Sequence, residues 1–193
     1  MALIRNCGPD WLNAKLAAGE ILIIDGAMGT ELEARGVPMH ARAWSGAAVK
    51  THPDAVRETH ADYIRAGARV IIANTFAAGR HMLEPAGLGE DVATINRRAV
   101  EVAKEARDQA AEDPVSVAGS ICDWVSPDSK WAETQNLSAA LREQAGLLAE
   151  SGVDLIALEM SHNEVGSPLA IQAALDLHEF RREERPRFPT AAA

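Results

Sequence analysis

The stretch Ala66-Gly67-Ala68-Arg69-Val70-Ile71-Ile72-Ala73-Asn74-Thr75-Phe76 decides the fold. Gly67 follows a helical segment, where a residue without a Cβ can take the left-handed conformation that ends a helix. Val70-Ile71-Ile72-Ala73 is apolar at successive positions, so a strand there must be covered on both faces, as in a parallel sheet. Asn74 and Thr75 then put polar side chains where that strand ends. The same order of helix, glycine, apolar run and polar end returns at Ser151-Gly152-Val153-Asp154-Leu155-Ile156-Ala157-Leu158-Glu159. A helix returning to the bottom of a parallel sheet reads this way.

Two more runs fit the formula: Ile21-Leu22-Ile23-Ile24 ending at Asp25-Gly26, and Val115-Ser116-Val117-Ala118 ending at Gly119-Ser120. Between the runs lie amphipathic helices. Thr51-His52-Pro53-Asp54 opens one with a capping hydroxyl and an early proline, and Val56, Tyr63 and Ile64 form its buried stripe. Another runs from about Asp91 to Ala111 on Val92, Ile95, Ala99, Val102 and Ala106. A third, from about Ser138 to Glu150, buries Leu141, Ala145 and Leu148. The fold class is α/β: a partial (β/α)8 barrel of about four β/α units. The runs near 21–25, 69–75, 115–119 and 153–159 are read as a parallel sheet ordered 1-2-3-4 with right-handed crossovers.

Residues 1–193 read as one domain, without a low-complexity linker. A capping helix within 1–20 (about Asp10 to Ala18) covers the barrel floor, and 21–160 hold the four units. Residues 161–193 hold a helix from about Ala170 to Glu184 and a flexible tail broken by Pro186 and Pro189. At 193 residues the chain is shorter than the ~250 of a complete barrel and is read as truncated. Its composition, 47% apolar and 24% charged, is that of a globular protein. A net charge of -9 excludes the basic face that nucleic acid or an anionic membrane demands. No apolar run is long enough to span a bilayer, and the start lacks the pattern of a signal peptide. Cys7 and Cys122 make no disulfide framework, so the cytoplasm is the expected location.

Ligands of parallel β/α arrays bind at the carboxyl ends of the strands. Asp25, Asn74, Thr75, Ser120 and Glu159 all stand there and together could hold a cationic amine. Asp25-Gly26 also reads as a turn or cap, and Asn74 and Thr75 as ties for a strand-end loop. Glu159, ending an apolar strand, must be paired or wet. Trp44 lies in the loop after the first run, as a wall of the mouth or a packing anchor, and Trp124 and Trp131 flank the third loop. Gly87-Leu88-Gly89 lacks the strand-then-helix context of a phosphate loop. Cys122, His81 and His162 follow strand ends, but their spacing matches no metal motif, so no metal ligand is assigned. Cys7 falls on the floor side and is read as inert.

Ile24-Asp25-Gly26-Ala27-Met28-Gly29-Thr30-Glu31-Leu32 resembles the opening strand and turn of the homocysteine S-methyltransferase family. His52-Pro53-Asp54-Ala55-Val56-Arg57-Glu58-Thr59-His60 is similar to that family's first long helix, and the Ala66 to Phe76 stretch to its second strand. Ala118-Gly119-Ser120-Ile121 and Gly152 to Met160 resemble the third and fourth. The likeness runs in collinear order over about residues 10 to 175 and marks the chain as the family's amino-terminal half.

The resemblance implies a barrel enzyme that moves a methyl group from a small donor to the thiol of homocysteine, giving methionine. Its partners would be homocysteine and the donor, which the sequence does not name. It also implies that Asp25 and Glu159 hold the amino-acid end of homocysteine, with Gly26, Asn74 and Thr75 beside it. No catalytic residue is assigned. The family's cofactor is zinc, bound by one cysteine after the sixth strand and a Gly-Gly-Cys-Cys pair after the eighth, and the chain holds neither segment. Zinc would turn the thiol into a thiolate, so without it the chain alone is expected to be inactive. A second departure is Cys122-Asp123-Trp124-Val125, where family members carry Gly-Pro. The alternatives are a non-catalytic half-barrel that binds an amino acid or another subunit, and a fragment without a settled function. Open sheet edges predict a homodimer or aggregation.

Overall fold

The computed structural model describes residues 9–125, 129–161 and 164–184, with side chains as far as 176 in the last helix. Helix α1 (Asp10–Ala17) comes first. The first apolar run, α2 (Met28–Ala34), α3 (Ala48–Thr51) and α4 (Pro53–Arg65) then lead to strand β1 (Val70–Ala73). Next come α5 (Arg80–Leu83) and α6 (Val92–Ala110), strand β2 (Ser116–Cys122), α7 (Thr134–Glu150), strand β3 (Leu155–Glu159) and α8 (Gly166–Glu184). Cys7, His162, residues 126–128 and the tail 185–193 lie outside the described residues, and with them the expectations placed on them.

The three strands are parallel in the order β1-β2-β3, with Val70 opposite Ser116 and Cys122 opposite Glu159. The first run corrects the four-strand expectation. It lies beside β1 in the expected place, but as a single parallel bridge, Ile24 to Val70. Arg69 N–H donates to Ile23 O at 2.8 Å and Asp25 N–H to Val70 O at 2.9 Å. Ile21, Ile23 and Ile24 are 92%, 58% and 58% exposed. An edge run with a partner on one side and its apolar side chains in water has little to hold it extended beyond its paired residues.

Period-two alternation sorts the sheet into two faces. Ile71 and Ala73 of β1, Val117 and Ile121 of β2, and Ile156 and Leu158 of β3 meet Ile64 of α4, Val100 and Ala103 of α6, and Leu141, Ala145 and Leu148 of α7. Leu141 and Leu148 are fully buried, which contributes ~1.5–3 kcal/mol each. On the other face, Leu12 of α1 covers Val70 and Ala118. Farther along that face Ile72, Leu155, Ala157 and Glu159 are only half-buried.

Gly67 and Gly152 follow α4 and α7 at φ +104° and +73°, the helix stops read from the sequence. Three helix starts differ. Helix α8 begins at Gly166 rather than near Ala170. Helix α7 begins at Thr134 rather than near Ser138. Thr51 does not cap α4: His52 occupies that place with Pro53 in the first turn. Thr51 is the last residue of α3, and its hydroxyl turns back to Ala47 O at 3.5 Å.

Candidate functional site

Asp25 follows the bridge that holds the first run, and its side chain turns under β1. Ile72 N–H donates to Asp25 Oδ2 at 2.8 Å, while Oδ1 is buried with no hydrogen-bond partner among the described residues. Burial is the main force on this carboxyl group and pushes its pKa up to about 7; the Ile72 N–H opposes the shift and the negative charge of Glu159 adds to it. A carboxylate kept partly protonated at neutral pH is poised to ionise when a cation arrives.

Glu159 ends β3 beside Cys122 of β2. Its Oε2 accepts from the Ser120 hydroxyl, so the half-buried carboxylate is both paired and open to water. The chain then turns sharply, with Met160 at φ +52°. A positive φ is uncommon for a residue with a side chain. Asp25 and Glu159 thus stand at the same ends of the parallel runs, close enough for one charge to shift the other's proton.

Asn74 and Thr75 tie that mouth together. Asn74 accepts from the Ser45 hydroxyl at 3.1 Å and donates to Ser45 O at 2.8 Å. Thr75 Oγ1 accepts from Ser120 N–H at 2.8 Å and donates to Ser120 O at 3.0 Å. Both side chains are buried, so they fix the strand-end loops that border the carboxylates. The Asn74 anchor holds the loop in which His40 and Trp44 exchange backbone hydrogen bonds at 2.8 and 2.7 Å. Trp44 takes φ +44° there and meets Phe76 edge to face, with ring centroids 6.3 Å apart. Its indole lies over Gly29, where a Cβ would come within 2.7 Å of the ring. Trp44 is therefore a packing anchor for its loop, resting on Gly29 and Phe76.

Gly26 has a similar reason. A Cβ there would sit 2.8 Å from the Tyr63 hydroxyl, so its absence lets Tyr63 of α4 back the turn after Asp25.

Two contributors escaped the sequence reading. His60 of α4 is wholly buried with its Nδ1 3.9 Å from Asp25 Oδ2. Its position, four after Val56 and three before Tyr63, lies on the buried stripe and was the available signal. Gln144 of α7 is wholly buried and donates to Thr75 O at 2.7 Å. It stands three residues after Leu141, again on the buried face.

Neither of two surface clefts of about 430 and 490 Å³ is lined by Asp25 or Glu159. The first lies among Pro9, Trp11, Pro114 and Asp154, where β2 and β3 begin, away from the strand ends that carry Asp25 and Glu159. The chemistry of the carboxylate mouth carries more weight than the volume of either cleft.

The chain has measurable relatives. A family model for homocysteine S-methyltransferase matches residues 22–190. Homocysteine S-methyltransferase of Escherichia coli is 33% identical over 166 residues, covering 79% of this chain and 54% of the relative. Homocysteine S-methyltransferase 4 of Zea mays is 31% identical over 169 residues, covering 77% of this chain and 49% of the relative. A selenocysteine methyltransferase of Astragalus bisulcatus is 29% identical over 191 residues, covering 84% and 55%. The chain thus spans about half the length of the curated relatives it matches. The metallated crystal structure of the homocysteine methyltransferase MmuM from Escherichia coli superposes with TM-score 0.70 at 30% identity, over 90% of this chain and 64% of that one.

Proposed function

Because the chain belongs to the homocysteine S-methyltransferase family, we propose that Asp25 and Glu159 hold the ammonium group of homocysteine in a site for methyl transfer to its thiol. Gly26, Asn74 and Thr75 form the border of that site. One observation carries the proposal: at the same ends of the parallel runs the negative charge of Glu159 bears on the buried Asp25 carboxyl group, which keeps an oxygen without a partner among the described residues. An ammonium group lowered between them gains charge-assisted hydrogen bonds and removes their mutual repulsion. The test is titration calorimetry with homocysteine and with its decarboxylated and deaminated analogues. Binding should survive loss of the carboxyl group better than loss of the amine. Equal affinity for the deaminated compound contradicts the assignment.

The family, and the metallated state of the relative, point to a metal, and the resemblance names zinc. The described residues do not fit one. Among them no group of three or more His, Cys, Asp or Glu side chains could hold an ion. Burial pushes the Cys122 thiol up to about 11, so it is protonated at neutral pH, and Trp124 N–H donates to its sulfur at 3.4 Å. Burial likewise lowers His81 to about 4. These residues bind and orient an amino acid; activation of its thiol is assigned to none of them. The alternative reading is a non-catalytic half-barrel that binds an amino acid or another subunit. Methionine formation from homocysteine and each donor, measured beside binding, separates the two.

The exposed first run supports a homodimer formed by edge pairing, which sedimentation of residues 1–193 tests directly. A monomer at micromolar concentration contradicts it. Among the described residues no helix is long and apolar enough to cross a membrane. The acidic composition speaks against a nucleic-acid partner, and the cytoplasmic reading rests on two cysteines that make no disulfide framework.

A further inference from the structure

His60 is a polar ring in an apolar stripe. It is wholly buried on α4, and neither ring nitrogen has a hydrogen-bond partner among the described residues. Desolvation alone accounts for its lowered pKa, about 3, so the imidazole is uncharged near neutral pH. A neutral ring has one N–H donor and one acceptor nitrogen. Leaving both unmatched in the interior is unfavourable, and such a group asks for an explanation. The explanation stands nearby: Nδ1 lies 3.9 Å from Asp25 Oδ2, about an ångström beyond hydrogen-bond length.

The same oxygen already accepts the Ile72 N–H, whereas Oδ1 has no partner among the described residues. Two protein groups thus converge on one oxygen of Asp25 and leave the other for a ligand. We propose that His60 is a positioning residue for Asp25, donating Nδ1–H to Oδ2 when the carboxylate is ionised and holding Oδ1 free for the ammonium group of an amino acid. The proposal rests on the amino-acid reading of this site and adds a residue to it. In the protonated carboxyl group Oδ2 is a weaker acceptor, and the 3.9 Å gap stays open. When an ammonium group arrives, the Asp25 proton leaves to solvent and the N–H closes on the charged oxygen. The ionisable groups that face Asp25 are His60 and Tyr63 from α4 and Glu159 from β3. Glu159 is an acceptor and the Tyr63 hydroxyl turns to Ala27 O at 3.4 Å, which leaves the His60 ring as the donor beside Oδ2.

The test uses the chain as it stands and begins with the wild type. With ¹⁵N-labelled histidine, NMR at pH 8 should show the His60 proton on Nδ1; a proton on Nε2 overturns the proposal. Carbon NMR of Asp25 without ligand then compares His60→Leu, which removes the donor, with His60→Asn, whose amide can take the place of Nδ1. His60→Leu should raise the Asp25 midpoint by about one pH unit and weaken homocysteine binding about tenfold or more, as expected for a lost hydrogen bond to a charged group. His60→Asn should restore both to within about threefold, a shift too small to count as a lost charged hydrogen bond. A folded His60→Leu protein with an unmoved Asp25 midpoint means that the ring only fills space, and overturns the proposal. If His60→Leu does not fold, the wild-type tautomer and the His60→Asn titration decide it. If wild-type protein binds no homocysteine, the amino-acid reading fails, while the tautomer and the Asp25 midpoints still judge the His60–Asp25 contact.

Discussion

Ile72 donates its backbone N–H to Asp25 Oδ2 at 2.8 Å, so the carboxylate that follows the first run is held by the strand beside it. That bond places a buried acid at the mouth of the sheet, where Glu159 waits half-exposed on the Ser120 hydroxyl. The binding proposal follows from how differently the two carboxyl groups are kept.

Glu159→Ala should weaken homocysteine binding by about 1.5–3 kcal/mol, the worth of a hydrogen bond to a charged group. Ser120→Ala, which leaves the carboxylate in place, should cost less. Titration calorimetry on both variants checks the order, and a larger loss in Ser120→Ala contradicts it.

Asp25→Asn should trade binding for stability. The pKa of Asp25 rises from 3.8 to about 7 on folding, so the folded state holds a proton that the unfolded state has lost between those values. Its contribution to stability is therefore greatest in acid and falls as pH rises to about 7, by up to about 4 kcal/mol at 1.36 kcal/mol per unit. His60 runs the other way: its folded pKa of about 3 makes stability grow as pH rises from there to its ordinary 6.5. The two nearly cancel in the wild type. Urea unfolding at pH 5 and pH 8 should show Asp25→Asn gaining stability over wild type only at the higher pH, while losing affinity for homocysteine.

Thr75→Val removes a hydroxyl that meets both Ser120 N–H and Ser120 O. The shape is kept and two buried backbone groups lose a partner, so stability should fall by about 1–3 kcal/mol. Homocysteine binding should weaken less than in Glu159→Ala, because Thr75 acts through the strand end that carries Ser120. Thermal unfolding and calorimetry on one sample separate the two effects.

Much of this was legible in the chain because it is local. Gly67 and Gly152 announced the helix stops, and the runs at Val70, Val115 and Val153 announced parallel strands, although the face that carries Ile72, Leu155 and Ala157 is only half-buried. The first run read as a strand equal to the others, yet its edge position leaves it a bridge at Ile24; exposure is a property of neighbours, which a run of isoleucines does not reveal. Asp25 and Glu159 were found as polar residues at strand ends. His60 and Gln144 were missed because a polar residue inside an apolar stripe reads as a helix-surface residue until its partners are known. Thr51 read as a cap because the sequence does not show that a helical turn already ends on it.

The most direct measurement is proton release on binding. Calorimetry of homocysteine with the wild-type chain at pH 6.5, repeated in buffers of different ionisation enthalpy, counts the protons set free. If an ammonium group settles between Asp25 and Glu159, the Asp25 carboxyl group, near its midpoint of about 7, must ionise, so a substantial fraction of a proton should leave per ligand bound. Affinity should rise with pH through 7, and Asp25→Asn should release none. Binding with no proton release, or release unchanged in Asp25→Asn, would contradict the account.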